Sequence, residues 1–160
     1  MLRWLRGRAT DLFFKFYYML NSKQKGNITE LQCIAAFYEI GYSVSIPYGD
    51  CERYDFIADI NGKLIKVQVK TCKEIDDLGT ISFSCTSTRV NTRGCTNVKY
   101  TANEIDYFAT FHKGQCYLVP VSQCSTEKKL RFEAPKNNQK VGINYAKDYE
   151  LLSQINKIKE

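Results

Sequence analysis

The chain has 160 residues, of which 44% are hydrophobic and 25% charged, as expected for one soluble domain with its own core rather than two. The formal net charge of +6 at pH 7 favours an anionic partner only mildly. The seven cysteines include no C-x-x-C pair and accompany one histidine, which argues against a zinc site and favours a reducing compartment such as the cytoplasm.

Residues 1–18 (MLRWLRGRATDLFFKFYY) are basic and apolar. Asp11 and Lys15 interrupt the apolar run, which is too short to span a membrane and precedes no small-residue cleavage site. A basic amphipathic anchor is the alternative interpretation. We predict that residues 1–18 are an extension outside the fold, that residues 19–160 form a single domain, and that the protein has no membrane partner.

The first helix is predicted over residues 27–40, with Asn27 as its N-cap and Gly41 directly after its end. Glu30 stands three residues after Asn27, so it fits a capping box. It also begins the buried stripe at helical spacing, which is Glu30, Cys33, Ile34 and Phe37. Because a carboxylate at the head of an apolar stripe needs a partner, a capping role and a functional role both remain open for Glu30.

A strand is predicted over residues 42–47, and a hairpin follows it. Asn61-Gly62 separates two β-rich runs and predicts a two-residue turn that joins strands 54–60 and 63–70. Ile60 then pairs with Lys63, and Asp55 lies opposite Gln68. One face is polar: Asp55, Ile57, Asp59, Leu64, Lys66, Gln68 and Lys70. The other face is apolar: Tyr54, Phe56, Ala58, Ile60, Ile65, Val67 and Val69.

The polar face of this hairpin combines a carboxylate, an amide oxygen and an ammonium group. Asp55 and Gln68 offer the oxygen ligands that Mg²⁺ prefers. Lys70 is suited to orient or deprotonate a water molecule, or to stabilise charge on a phosphate. The alternative is an ordinary solvent-exposed sheet face, because antiparallel sheets are commonly wet on one side.

Beyond the hairpin we predict an acidic turn over residues 74–79, a strand over 80–88, a polar loop over 89–100, a second hairpin over 105–111 and 116–121, a basic loop over 125–141 and a helix over 145–159. The apolar side of that last helix is Leu151, Leu152, Ile155 and Ile158. These elements predict an α/β (α+β) protein with a mixed sheet. The candidate DNA-binding residues are Lys73, Arg89, Arg93, Lys99, Lys136 and Lys140.

Several other chemistries are disfavoured. The sequence contains no G-x-G-x-x-G, no P-loop and no G-x-S-x-G elbow, so we expect no small-molecule cofactor. His112 falls at the predicted tip of the second hairpin, which argues against a Cys–His nucleophile.

The order of Glu30, Asp55 and the tripeptide 68–70 (QVK) resembles the PD-(D/E)-x-K nuclease superfamily, and within it the small group I intron homing endonucleases. The matching segments are 23–26 (KQKG), 41–47 (GYSVSIP), 54–55 (YD), 68–70 (QVK), Tyr100 and 104–108 (EIDYF). The resemblance runs from residue 23 to the C-terminus, and archaeal Holliday-junction resolvases share it more distantly. Tyr54 replaces the proline of the motif, and Gln68 replaces its second acid, as in the homing branch.

The resemblance implies a restriction-endonuclease-like fold and an Mg²⁺-dependent endonuclease that acts on double-stranded DNA, with Mn²⁺ able to substitute. By this resemblance Glu30, Asp55, Gln68 and Lys70 carry the chemistry, and the metal ligands are Glu30, Asp55, Gln68 and the backbone carbonyl of Val69. A long DNA target exceeds the reach of one small domain, so a homodimer or homotetramer is expected.

Three alternatives stay open. The first is a junction resolvase or repair nuclease with the same site. The second is an inactive DNA-binding protein that tolerates loss of Lys70. The third is an interaction protein that does not bind nucleic acid, which would lack salt-dependent DNA affinity.

Overall fold

The computed structural model describes residues 17, 19–49, 51–76, 79–92, 94–134 and 142–159. Its helices are α1 (Ser22–Glu39) and α2 (Leu151–Lys159), with 3₁₀ turns at Val121–Gln123 and Ala146–Tyr149. Its strands are β1 (Ser43–Ser45), β2 (Phe56–Ile60), β3 (Lys63–Val69), β4 (Lys73–Asp76), β5 (Thr80–Ser84), β6 (Thr86–Asn91), β7 (Gly94–Lys99), β8 (Tyr107–His112), β9 (Gln115–Pro120) and β10 (Glu127–Arg131). The predicted α+β class is confirmed.

The main sheet has five strands in the order β1-β2-β3-β8-β9. It is mixed, as predicted, because β3 and β8 run parallel while the other neighbours are antiparallel. Asp106 starts the parallel pairing. Its backbone N–H donates to the Lys66 carbonyl at 2.9 Å, and its carboxylate accepts from the Lys66 backbone N–H at 2.8 Å.

The predicted register of the first hairpin is confirmed from the Ile60–Lys63 pair to the Phe56–Val67 pair. Asn61 and Gly62 have φ values of 55° and 90°, the positive pair that a type I′ turn needs. The second predicted hairpin is also present as β8–β9, slightly shorter than expected. Its turn also has two residues with positive φ, 47° at Lys113 and 84° at Gly114.

The predicted start of the first helix was wrong. Asn21, not Asn27, is the N-cap, and it forms a capping box in which Asn21 Oδ1 accepts from the Gln24 backbone N–H at 2.9 Å. The first turns were interpreted as a lead-in because residues 22–27 carry no apolar side chain and the first buried residue of the helix is Thr29. The predicted end is confirmed, because Gly41 has φ of 88° and donates to the Tyr38 carbonyl at 2.9 Å.

The hydrophobic core lies on both sides of the main sheet. The apolar face of the β2–β3 hairpin packs against α1 and α2, and the fully buried rings of Phe37 and Phe56 meet edge-on at 5.4 Å. A second cluster, which includes Phe83 and Phe108, joins the other face of β8–β9 to a small sheet ordered β10-β5-β4. Tyr54 packs partly buried against this second cluster, so its assignment to the first apolar face was wrong.

Several polar strands were missed. The predicted single strand over residues 80–88 is two strands, β5 and β6, which separate at the buried Cys85. The predicted turn over 74–79 begins as strand β4, the predicted loop over 89–100 belongs to the β6–β7 hairpin, and the predicted loop over 125–141 contains β10. Strands β6 and β7 are largely solvent-exposed, so they lack the apolar alternation by which strands are found.

The predicted C-terminal helix is broken at Glu150, whose ψ of 141° is extended. The break shifts the helical phase, so Leu152 is 57% exposed and Gln154 occupies the buried position instead. Ile155 and Ile158 are buried as predicted.

Of the predicted N-terminal extension, the structure describes only residue 17. The Lys25 Nζ atom lies 5.4 Å from the centre of the Tyr17 ring, and the rest of the predicted extension falls outside the described residues. Among the residues that the structure describes, no helix combines the length and apolar character needed to cross a bilayer.

Candidate active site

A pocket of about 240 Å³ lies at the open end of the β2–β3 hairpin, away from the Asn61-Gly62 turn. The hairpin contributes Asp55, which directly precedes β2, and the last residues of β3, Gln68 and Val69. Helix α1 contributes Glu30. The structure therefore brings the four predicted metal ligands into one pocket, whose other lining residues are Lys23, Gly26, Asn27 and Thr71.

Asp55 is the best-connected side chain of this pocket. Its Oδ2 atom accepts hydrogen bonds from Gln68 Nε2 at 2.6 Å and from the Val69 backbone N–H at 2.5 Å. Burial raises the pKa of the Asp55 carboxyl, while the Val69 hydrogen bond, the charge of Lys70 and the Gln68 hydrogen bond each lower it. The net direction is upward, so the pocket disfavours the carboxylate despite these partners.

Gln68 presents its amide nitrogen to the oxygens around it. Besides Asp55 Oδ2, Nε2 donates to the backbone carbonyl of Val69 at 3.2 Å. The amide nitrogen thus lies between two of the predicted metal ligands. Half a rotation about the last side-chain bond exchanges Nε2 for Oε1, because the two ends of an amide group have nearly the same shape.

Glu30 adds a second acid to the pocket. Burial raises the pKa of its carboxyl, and the negative charge of Asp55 raises that pKa further. No cluster of three or more His, Cys, Asp and Glu side chains occurs in the described part of the chain, so the pocket offers two carboxylates and neutral oxygens. A set of oxygen ligands that includes two neighbouring carboxylates fits a hard divalent cation such as Mg²⁺.

Lys70 lies beside this pocket. Its backbone N–H extends the parallel pairing by donating to the Ala109 carbonyl at 2.9 Å. Its ammonium group donates to the Tyr100 hydroxyl at 3.3 Å, and its charge lowers the pKa of Asp55. The predicted lysine is therefore within electrostatic reach of the carboxylate, with a phenol as its hydrogen-bond partner.

The sequence argument missed the residues that hold α1 against the end of β3. The buried Thr29 lies next to Glu30, and its Oγ1 atom is 3.2 Å from Thr71 Oγ1, just after β3. The segment KQKG gave a signal for Lys23 and Gly26, which line the pocket, but not for their role. Arg53 was also missed, although it directly precedes the YD pair.

The predicted DNA-binding residues are spread over several elements. Arg89 and Lys99 are exposed on the β6–β7 hairpin, and Lys99 Nζ is 3.4 Å from Ser125 Oγ. Lys73 lies on β4 in a groove of about 1140 Å³, and Thr71 lines both this groove and the acidic pocket. Arg93, Lys136 and Lys140 lie outside the described residues.

Comparison with known proteins supports the fold and the family. Residues 20–152 match the family model described as PD-(D/E)XK endonuclease. Among solved structures, the chain is similar to the bacterial homing endonuclease I-Ssp6803I, with a TM-score of 0.69 and 27% sequence identity over 88% of this chain and 99% of that one. No curated protein matches the sequence significantly. The predicted nuclease fold and the family resemblance are confirmed, and the chain belongs to the PD-(D/E)XK endonuclease family.

Proposed function

We propose that this protein is a metal-dependent endonuclease that hydrolyses phosphodiester bonds in double-stranded DNA and acts as a group I intron homing endonuclease. The observation that carries the proposal is the single pocket formed by Glu30, Asp55, Gln68 and the Val69 carbonyl. Membership of an endonuclease family supports the reaction class, and similarity to a protein described as a bacterial homing endonuclease supports the biological role.

Mg²⁺ is the proposed cofactor, and Mn²⁺ is expected to substitute for it. The carboxylates of Asp55 and Glu30, Oε1 of Gln68 and the Val69 carbonyl would hold the cation, because hard cations take oxygen ligands. When bound, the cation supplies Lewis-acid stabilisation of the negative charge that develops on the phosphate.

The chain's own groups then position and stabilise the reacting atoms. The Lys70 ammonium, beside the pocket, donates a hydrogen bond to a phosphate oxygen or to the attacking water. The carboxylates of Asp55 and Glu30 would hold the cation, and Lys70 would orient the phosphate beside them. A preorganised donor of this kind is worth about 10²-fold or more in rate.

The DNA duplex would be bound mainly through its phosphates. The net charge of +6 supports such binding, with Lys73, Arg89 and Lys99 as proposed contacts. Arg93, Lys136 and Lys140 are proposed contacts from the sequence alone. We propose a homodimer or homotetramer located where genomic DNA is, in the cytoplasm or inside a genome-bearing organelle.

The test is a cleavage assay on plasmid and on four-way-junction DNA, with Mg²⁺ or with EDTA. The variants are wild type, Lys70→Ala and, as a matched control, Lys66→Ala, which removes a lysine four positions earlier, on β3. We expect wild type and Lys66→Ala to cut duplex at limited sites with Mg²⁺, and Lys70→Ala to lose at least 10²-fold in rate.

Other outcomes would replace the proposal. Cutting confined to junctions would identify a resolvase. Salt-sensitive DNA binding without cutting would identify a binding protein that has lost its chemistry. The absence of salt-sensitive binding would remove DNA as the partner.

A further inference from the structure

Arg53 contacts four groups from three different segments, although it is not part of the nuclease motif. Its Nε atom forms an ion pair with Glu104 Oε1 at 3.1 Å. Its two terminal nitrogens donate to Ser87 Oγ at 2.5 Å and to the Lys99 carbonyl at 3.1 Å. Its guanidinium carbon lies 3.9 Å from the centre of the Tyr100 ring. Arginine suits this position because its planar fork can stack on a ring and donate in several directions.

Tyr100 connects this guanidinium group to the proposed catalytic lysine. Its hydroxyl accepts from Lys70 Nζ at 3.3 Å. Its ring also meets the buried ring of Phe108 edge-on at 5.3 Å, with an interplanar angle of 86°. A ring held by both an arginine and a core aromatic has little freedom, so its hydroxyl is a fixed acceptor for the Lys70 ammonium.

A fixed acceptor matters for a lysine, because four rotatable bonds otherwise spread its ammonium over many positions. A group contributes to the rate only when it is held close to the reacting atoms. The Tyr100 hydroxyl therefore restricts Lys70 to positions beside the acidic pocket before any DNA arrives.

The same arginine also holds the base of an exposed β-ribbon. Ser87 and Lys99 belong to the first two cross-strand pairs of the β6–β7 hairpin, which are Thr86–Lys99 and Ser87–Val98. Further out, the described side chains of the ribbon are exposed, among them Thr88, Arg89, Val90, Cys95, Thr96 and Asn97. A two-stranded ribbon of this kind has the width that fits the DNA major groove.

We propose that Arg53 and Tyr100 are positioning residues that join the DNA-contacting ribbon to Lys70. Arg53 fixes the ribbon base and the Tyr100 ring together, and the Tyr100 hydroxyl places the Lys70 ammonium. A duplex that docks on the ribbon is thereby held in a set position relative to the ammonium group. This inference rests on the proposed endonuclease function.

The test compares Tyr100→Phe with Tyr38→Phe. Tyr100→Phe keeps the ring for Arg53 and Phe108 and removes only the hydroxyl. Tyr38→Phe is the matched control, because its hydroxyl also forms one 3.3 Å hydrogen bond, which it donates to the Val44 carbonyl on β1, outside the pocket. Three quantities are measured: the single-turnover cleavage rate with Mg²⁺, the Kd for duplex with Ca²⁺ in place of Mg²⁺, and the thermal midpoint.

We expect Tyr100→Phe to cleave roughly tenfold or more slowly, with unchanged Kd and unchanged thermal midpoint. Tyr38→Phe should match wild type in rate. If wild type does not cleave duplex at all, the proposed function fails. If wild type and Tyr38→Phe cleave, and Tyr100→Phe cleaves equally fast, the positioning role is overturned while the proposed function stands.

Arg53→Lys tests the ribbon. Lysine keeps the positive charge but lacks the planar guanidinium group. The hydrogen bonds to the base of the ribbon and the stacking on the Tyr100 ring are therefore lost together. We expect a weaker Kd for duplex and a slower saturating rate. A slower rate with an unchanged Kd would show that Arg53 does not act on DNA binding through the ribbon.

Discussion

Gln68 gives this site its particular electrostatics. Its amide nitrogen donates to both Asp55 Oδ2 and the Val69 carbonyl, so two of the oxygens that would bind a cation are already satisfied without one. A glutamate at this position would instead place a second negative charge against Asp55. Compared with a glutamate, the amide therefore lowers the electrostatic free energy of the metal-free protein. It also gives the metal-bound site one fewer negative charge.

Gln68→Glu should destabilise the protein in EDTA and stabilise it more strongly with Mg²⁺. The substitution removes two donated hydrogen bonds and adds like-charge repulsion, and a cation relieves both effects. We expect the thermal midpoint in EDTA to fall by on the order of a few degrees and the Mg²⁺-induced rise to exceed that of wild type. A complete loss of the Mg²⁺-induced rise would show that residue 68 is not a ligand.

Asp55→Asn should abolish cleavage, leave DNA binding intact and raise the thermal midpoint in EDTA at pH 7. The reason is that burial raises the pKa of Asp55, so its charged form is a cost to the folded state. Stability from this carboxyl is fully present below its unfolded pKa and is lost as pH rises through its folded pKa. The difference between variant and wild type should therefore shrink as pH falls through this range.

The measurement is a pair of thermal melts in EDTA, at pH 7 and at a pH below the unfolded pKa of aspartate, with a cleavage assay beside them. Full cleavage activity in Asp55→Asn would contradict the site assignment. A lower midpoint at pH 7 would mean that the hydrogen bonds to Asp55 outweigh its burial.

Two of the candidate ligands, Asp55 and Gln68, could be paired from sequence because the hairpin register is local, whereas Glu30 and Val69 were assigned by the family resemblance. An Asn-Gly turn fixes which residues face each other, so Asp55 and Gln68 were placed together without knowledge of the fold. Arg53 and Tyr100 could not be found in this way. Their contact is between segments distant in the chain, and no periodic pattern encodes it.

At the scale of elements, turn residues and the alternation of apolar side chains correctly predicted the two buried hairpins. The helix start was predicted wrongly because the N-cap was misassigned, and strands with mostly polar side chains were predicted as loops. The Asn21 capping box was missed because Asn27 offers the same residue type closer to the core. Strand β10 was missed because lysines surround its two buried side chains, one of which is itself Lys128. That lysine is retained in the interior by hydrogen bonds to the Asn144 side chain at 2.9 Å and to the Tyr149 hydroxyl at 3.1 Å.

The phase of the C-terminal helix gives a prediction at this scale. Ile155→Ala should lower the free energy of unfolding by about 2–4 kcal/mol, because Ile155 is 1% exposed in the first core cluster. Leu152→Ala is the matched control and should cost less than about 0.5 kcal/mol, since Leu152 is 57% exposed. Urea denaturation of both variants measures the difference, and equal losses would mean that the helix packs in the phase expected from sequence.

At the scale of the whole molecule, we predict that a chain starting at Met19 folds normally. The described contacts of Tyr17 include the ring contact with Lys25, a side-chain hydrogen bond with Thr29, and a hydrogen bond of 3.2 Å that its carbonyl accepts from the Leu20 backbone N–H. Their loss should move the thermal midpoint by on the order of 2 °C or less. Tyr17→Ala in the full chain is the control for this residue alone, and a large fall in the truncated chain would show that the extension packs on the domain.

The parallel junction between β3 and β8 has a consequence for how the protein is made. Lys66 and Asp106 are 40 positions apart in the chain, whereas the β2–β3 hairpin closes over two residues. Local hairpins form in microseconds, and contacts of long sequence separation form later because loop closure costs entropy. Lys70 is anchored to Ala109 of β8, so we expect a growing chain to assemble Asp55 and Gln68 first and to fix its lysine only after β8 has been synthesised. We therefore expect a partial chain that ends before β8, at residue 106 or earlier, to hold Asp55 and Gln68 together without nuclease activity.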